Sequence, residues 1–416
     1  MNKQRINIRS KEKAQFLWNM IGSTVYAFTS LILTYGTIKM IGEERGGVFA
    51  IALTLAQMFM YIVFFETRNY QVTDVRDRFC FGDYHAVKLL NSLIMMAAIG
   101  LYVILHQYSP SKNLIIILVS FYRLLDGYAD VYESEFHKRG RLDIAGKSMT
   151  FRSIISVGAY FIVLAFTDNL VTALLFAVLS GIVGIAVCDI FALRLIRPVR
   201  FTFRVTSVKA IYPECFPLFL GMFLWTYLLS ASRIAVDNVM PSKYQAYYQV
   251  LFIPISVINL FAGFLIRPSL ISMSEQYASG DNRFWNRLWR MAEFIVGLTV
   301  AAMLGAYLLG IPVLEVLAGC DLKEYRFMFV FLIAAGGVNA EAYLLYHILT
   351  IFRARKSILS GYGIAAFIAL ISSTRMVKLF GLWGASISYL ITVTVLLVIF
   401  TGCILKHKAF FIRNGA

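Results

Sequence analysis

Apolar residues run along the chain in blocks of about twenty, separated by short polar breaks. A helix of that length spans the roughly 30 Å hydrocarbon core of a bilayer, at about 1.5 Å rise per residue. Such windows predict twelve membrane spans, at 15–41, 46–66, 86–107, 113–135, 150–167, 169–193, 214–236, 245–267, 288–309, 325–351, 357–373 and 381–404. Span 11 is cut short by Ser372, Ser373, Thr374 and Arg375. Span 4 departs most from the apolar pattern. It opens as Leu114 to Val119, and then Arg123, Asp126, Asp130, Glu133 and His137 follow at spacings of 3, 4, 3 and 4. Those spacings form one stripe of a helix. A charge facing lipid costs at least about 2.5 kcal/mol, so the stripe must face protein or water. Structural ion pairing is one reading and a polar pathway the other.

Composition fixes the class. The 416 residues are 59% hydrophobic and 15% charged, with mean hydropathy +0.71. Soluble domains average about 45–50% apolar and 25% charged. An all-α, polytopic membrane protein is expected. The apolar run from about Phe16 to Met40 exceeds a signal-peptide core and reads as a retained first span. The net charge of +16 is spread over seven loops on one side of the membrane. That side holds 29 Lys and Arg against 8 on the other, and Arg123 and Arg233 inside spans complete the 39. The bias predicts cytoplasmic N- and C-termini. It also argues against nucleic acid, because scattered loop cations serve insertion and meet anionic lipid.

Enzymatic chemistry finds no support. No loop exceeds about 25 residues, so no soluble catalytic domain is inserted. The five cysteines form no CxxC pair and no metal spacing; only Cys320 falls in a predicted outer loop, and no disulfide framework is expected. The stretch Arg139–Ser148 imitates a P-loop, but five residues separate Gly140 from Gly146 where four are required, and no strand precedes it. No catalytic residue, metal or cofactor is expected.

The basic segment Arg194–Arg204 divides the chain into halves at 1–205 and 206–416. Parallel duplication of this kind places a transporter's site between halves. Polar faces recur on span 1 (Asn19, Ser23, Tyr26, Ser30, Thr34, Thr37) and span 2 (Thr54, Gln57, Tyr61, then Glu66 and Arg68). Span 8 adds Gln245, Gln249, Ser256 and Asn259. Such faces pack helices at around 0.6 kcal/mol per contact; three of them together favour a shared hydrated cavity. Arg233 and Asp237 on span 7 have i, i+4 spacing, which reads as an interfacial pair or as an arginine left for a phosphate or acidic sugar. Glu293 is expected to pair with Arg290, and Asp189 to offset Arg194. Glu341 and His347 lie deeper, in span 10, where a histidine is satisfied by a neighbour or relays protons.

Three stretches carry a resemblance: Gly140–Arg152 entering span 5, Gly310–Gly319 leaving span 9, and Gly381–Ile391 opening span 12. With twelve spans in two halves, the chain resembles the bacterial polysaccharide (O-antigen type, Wzx-like) flippases. These belong to the multidrug/oligosaccharidyl-lipid/polysaccharide exporter superfamily. The resemblance implies two six-helix lobes forming a V around a central cationic cavity. It implies alternating access that carries an undecaprenyl-pyrophosphate-linked oligosaccharide from the cytoplasmic to the outer leaflet. Under it, Arg68, Arg123 and Arg233 contact the headgroup, supported by Tyr26, Gln57, Gln249 and Asn259. Asp126, Asp130, Glu66 and Glu133 become candidates for coupling to H+ or Na+. Membrane lipids, a polysaccharide polymerase and glycosyltransferases are the implied partners. The chain departs from some relatives in having no cation between Lys13 and Lys39, and span 4 by itself is net acidic. Countercharge for a pyrophosphate is therefore expected from Arg68, Arg123, Arg152, Arg233 and Arg267. The alternatives are a cation-coupled multidrug or metabolite antiporter of the same superfamily and, less well matched, a membrane glycan polymerase or ligase.

Overall fold

Apolar runs with few internal prolines fold as long helices, and the breaks between them fall at glycine, proline or polar clusters. The computed structural model describes residues 2–74, 77–196 and 203–414, with side chains from Ala14 to Lys408 except Arg267. Among the described residues there is no strand. Four helices precede the first basic turn: α1 (Asn2–Phe64), α2 (Thr67–Thr73), α3 (Phe81–His106) and α4 (Pro110–Lys138). Then come α5 (Leu142–Thr167), α6 (Leu170–Gly184), the short α7 (Ala192–Ile196), α8 (Val205–Val239), α9 (Ser242–Phe252) and α10 (Ile255–Ala278). The chain continues through α11 (Arg283–Gly305), α12 (Ile311–Ala318), α13 (Arg326–Ile351) and α14 (Arg355–Asn414). Single π turns join α6 to α7 and α11 to α12.

Two of these helices are hairpins. α1 turns at Gly42, whose φ of +81° suits a residue without a Cβ. Its second half returns alongside the first, so that the Gln57 amide donates to Ser30 Oγ at 2.7 Å. α14 turns in the same way at Gly381, with φ +57° and ψ −135°. The return brings Ser388 against Ser373 at 2.8 Å. Span 11 is therefore longer than its hydropathy predicts: Ser372 and Ser373 bond across the hairpin, and the helix runs on past Arg375 to the turn.

Among the described residues, nine helices are long and apolar enough to cross a membrane. Two of them are the hairpins, with two spans each, and α4 is left out of the nine by its charges alone. Twelve spans result, and the chain is a multi-pass, all-α membrane protein. Span 8 is not one rod, because it breaks at Ile253–Pro254, where proline lacks the N–H that the ladder needs.

The chain forms two compact units. The first comprises 1–41 and 48–223; the second comprises 42–47 and 224–416. In the first, α1 and α5 cross at van der Waals contact: a Cβ on Gly22 would lie 2.5 Å from the Gly146 carbonyl oxygen. In the second, the α1 turn docks on α9, where Tyr247 donates to Glu43 at 2.5 Å. The basic segment that separates the halves lies outside the described residues over 197–202.

Candidate functional site

The stripe on α4 is the centre of a buried ion network in the first unit. Arg123 is 1% exposed. Its guanidinium donates to Asp126 at 3.0 Å and to Ser30 Oγ at 2.7 Å. Gln57 bonds the same Ser30 hydroxyl, so α1 and α4 share one polar junction. Tyr26, on the same face of α1, contributes a weak O–H···S bond to Met60 at 3.8 Å.

One and two turns on, Asp130 and Glu133 are gripped from three directions. Arg68, just inside α2, reaches Asp130 at 3.0 Å and Glu133 at 3.2 Å through Nη1 alone. Lys88 of α3, fully buried, meets Asp130 at 2.7 Å and donates to the Phe64 carbonyl at 2.9 Å. That carbonyl is available because the helix ends there: Phe65 and Glu66 take φ of +43° and +52°. Arg152 of α5 closes the network, with Glu133 at 2.9 Å, Asp189 at 2.8 Å and Asp126 at 3.8 Å. Ser148 donates a further bond to Asp189 at 2.5 Å.

Four cations (Arg68, Lys88, Arg123, Arg152) thus meet four carboxylates (Asp126, Asp130, Glu133, Asp189) in one connected set. The stripe is net acidic only on its own helix; neighbouring helices neutralise it. Asp189 pairs with Arg152, not with Arg194 as its position near the C-terminal end of span 6 implies, because the π turn at Ile185–Phe191 rotates it towards α5. Arg152, expected as spare countercharge, is instead paired with carboxylates on two neighbouring helices. Glu66 lies beside the network without an ion pair among the described residues and accepts from Asn69 Nδ2 at 3.1 Å.

The second unit holds the opposite arrangement. Arg233 lies buried on α8 and does not pair with Asp237. Its guanidinium turns back to the Leu229 carbonyl (3.1 Å), Ser230 Oγ (3.3 Å) and Gln249 Oε1 (3.4 Å). It also lies 4.8 Å from the centre of the Phe252 ring. Every partner is neutral, and among the described residues no carboxylate pairs with it. The buried hydroxyls of Tyr248 and Tyr389 lie near it. Asn259 lies elsewhere on the unit, bonded to Asn339 at 3.1 Å. Glu293 forms no ion pair with Arg290. The side chain of Arg267 lies outside the described residues. Among the described residues no disulfide forms, and burial pushes the Cys320 thiol up to about 12.

Sequence reasoning missed the pairing role of Lys88. Its signal was a cation placed at the start of span 3, which reads there as an ordinary loop-flank charge. Arg152 and Asp189 each carried a signal, but neither pointed to the other.

No protein-family model matches the chain. It is 21% identical over 320 residues to the capsular polysaccharide biosynthesis protein CapF of Staphylococcus aureus, covering 76% of this chain and 80% of that one. Among solved structures, an inward-facing multidrug resistance MATE family transporter of the MOP superfamily superposes with a TM-score of 0.62. It is 14% identical, with 97% of this chain and 96% of that one covered. The Vibrio cholerae MATE transporter VcmN gives 0.59 at 14% identity, over 96% and 98%. A MOP superfamily transporter from Pyrococcus furiosus, described as having a binding pocket of reversed polarity, gives 0.52 at 14% over 96% and 97%. The chain therefore has the fold of the MATE transporters of the MOP superfamily.

Proposed function

We propose that the chain is a flippase for a lipid-linked, pyrophosphate-bearing oligosaccharide, working by alternating access and without enzymatic chemistry. The fold supports transport, and the likeness to CapF supports a polysaccharide cargo. The observation that carries the reading is Arg233: a buried guanidinium held only by neutral groups has its full charge available to an anionic headgroup. Arginine matches phosphate oxygens bidentately. Gln249, bonded to Arg233, extends this polar set towards the sugar, whereas Asn259 is held by Asn339 elsewhere in the unit. Arg123 is spent on Asp126 and Ser30 and holds helices together, with Tyr26 and Gln57 beside it. Arg68, a third exposed, uses only Nη1 on its carboxylates and keeps donors for the substrate.

Asp126, Asp130 and Glu133 are each ion-paired, and releasing one to take H+ or Na+ would strand a buried cation. Glu66 has no ion pair among the described residues, so it is the coupling carboxylate this reading favours. Membrane lipids surround the chain, and a polymerase and glycosyltransferases would supply and consume its cargo.

The test is complementation of a flippase-deficient strain. Arg233→Gln should abolish glycan export and accumulate lipid-linked intermediate at normal protein levels. Full export by Arg233→Gln and Arg233→Ala would refute the site. Drug efflux on expression in a strain without a glycan gene cluster would favour the antiporter reading that the MATE fold also allows.

A further inference from the structure

The second unit gathers polar aromatic rings on one face. Tyr343, Tyr346 and His347 stand at i, i+3 and i+4 on α13 and so share a stripe of that helix. Trp225 of α8 and Tyr362 of the first half of α14 meet the stripe. The rings of Trp225, Tyr343 and Tyr346 are nearly parallel: the interplanar angles are 29° and 17°, with centroids 6.4 Å apart in both pairs. His347 stands edge-on to Tyr343, 4.6 Å away at 81°. Tyr362 is buried, 5.9 Å from Trp225 and 6.1 Å from Tyr346, and rests on Phe400. The other four rings keep part of their surface open.

Two ordinary roles fit this cluster poorly. A closed core would bury all of the rings. An interfacial belt sets single rings against lipid at headgroup level, whereas these five come from three helices and lie ring to ring, on a helix packed by α10, α11 and α14. A lipid chain would cover the ring faces and leave polar edges unsatisfied, since among the described residues the Tyr343 hydroxyl bonds to no other group. An anion finds no counter-charge: among the described residues, no charged side chain pairs with or lies over Trp225, Tyr343 or Tyr362. A cation on the ring faces is the rival occupant, and it leaves the hydroxyl edges unused. A sugar ring uses both parts. Its C–H groups form an apolar face, its hydroxyls form a polar rim, and Tyr and Trp each pair an apolar body with a polar tip.

The place of the cluster on α8 suits a phosphate-linked glycan. Trp225 precedes Arg233 by eight residues, about two turns and about 12 Å along one helix. A phosphate at Arg233 therefore puts the sugars attached to it within reach of the rings. We infer that Trp225, Tyr343, Tyr346 and His347 form a stacking shelf for neutral sugar rings, a role that rests on the cargo being a glycan but not on Arg233 holding its phosphate.

Saturation-transfer NMR on the full chain in lipid nanodiscs tests it, with maltotriose, chitotriose and tetraethylammonium as probes and empty discs as reference. Saturation should pass to the ring C–H protons of at least one trisaccharide. In Trp225→Leu and Tyr343→Leu the affinity should fall about tenfold, the scale of one lost ring-stacking contact. Tyr343→Phe, which keeps the ring, should bind more tightly than Tyr343→Leu. No transfer to either trisaccharide above empty discs overturns the inference, as does unchanged sugar binding by the two leucine variants. Transfer to tetraethylammonium alone, removed by the same substitutions, would show a cation cage and overturn it too. If both leucine variants lose the parent's melting temperature, the rings are core packing and the shelf is refuted. The headgroup site is judged separately, by glycan export. Sugar binding by the parent together with full export by Arg233→Gln refutes the phosphate site and leaves the shelf standing. Export blocked by Arg233→Gln, with no sugar signal from the parent, refutes the shelf alone.

Discussion

Arg152→Met should unfold the first unit more readily than any other single charge removal in it. Arg152 meets three carboxylates, and the two nearest are at 2.8 and 2.9 Å. Asp189 and Glu133 are buried, with side chains 0% and 4% exposed. Deleting the guanidinium changes a four-to-four network into three cations against four anions, and leaves Asp189 with only a serine hydroxyl. Removing one member of a buried pair costs about 3–5 kcal/mol, because the remaining charge stays desolvated. For a unit of about 200 residues, each kcal/mol moves the melting temperature by roughly 2–4 °C. A fall of about 6–20 °C is therefore expected for the purified protein in detergent. The decisive comparison is the double variant Arg152→Met/Asp189→Leu. It restores three against three, because Glu133 keeps Arg68, Asp130 keeps Lys88 and Arg68, and Asp126 keeps Arg123. It should melt above Arg152→Met alone although it carries one more substitution. If the double variant melts at or below the single one, charge balance is not what holds this network, and the reasoning fails.

Three further outcomes follow from packing and burial. A side chain at Gly146 would place its Cβ 2.1 Å from the Trp18 carbonyl oxygen, so Gly146→Val should force α1 from α5 and sharply lower the folded yield. Gly158→Ala, where nothing lies within 4 Å, should match or exceed the parent by about 0.5–1 kcal/mol of helix propensity; both are read by fluorescence-detected gel filtration. Cys320 is 4% exposed and its thiol is raised to about 12, so almost no thiolate exists near pH 8. Maleimide at that pH should leave Cys320 unmodified until denaturant is added, as peptide mass mapping would show.

The spans were legible because a bilayer imposes a length and a polarity on every crossing, and both are written in the hydropathy. The hairpin turn at Gly42 falls between two windows placed on that basis alone, and the turn at Gly381 falls on the first residue of the last window. What was not legible is which charges meet. The spacing of Arg123, Asp126, Asp130 and Glu133 shows a common face, but periodicity carries no information about the helix opposite. Lys88 and Arg152 belong to α3 and α5, and only the packing brings them to α4. Arg233 and Asp237 show the converse error: i, i+4 spacing permits a pair, yet the arginine rotamer turns towards Ser230 and Gln249 instead. Span 11 looked short because hydropathy counts Ser372 and Ser373 as solvated, whereas they bond to Ser388 within the membrane-spanning hairpin.

The two units differ in how they treat buried charge, and that difference bears on where function resides. In the first, each cation of the network has a carboxylate and each carboxylate a cation, so binding an ion there must first break a pair and strand its partner. Such a network is suited to fixing the register of four helices. In the second, Arg233 is buried, has no counter-ion among the described residues, and sits among neutral groups. A protein that only needed stability would gain by replacing it, since an uncompensated buried charge is costly and an isosteric apolar residue is not. Its presence is explained if a ligand supplies the missing charge, as the proposed anionic headgroup would. Under that proposal the charges that look most functional in the sequence, the α4 stripe, act as scaffold, and the substrate's charge meets an arginine that looks isolated.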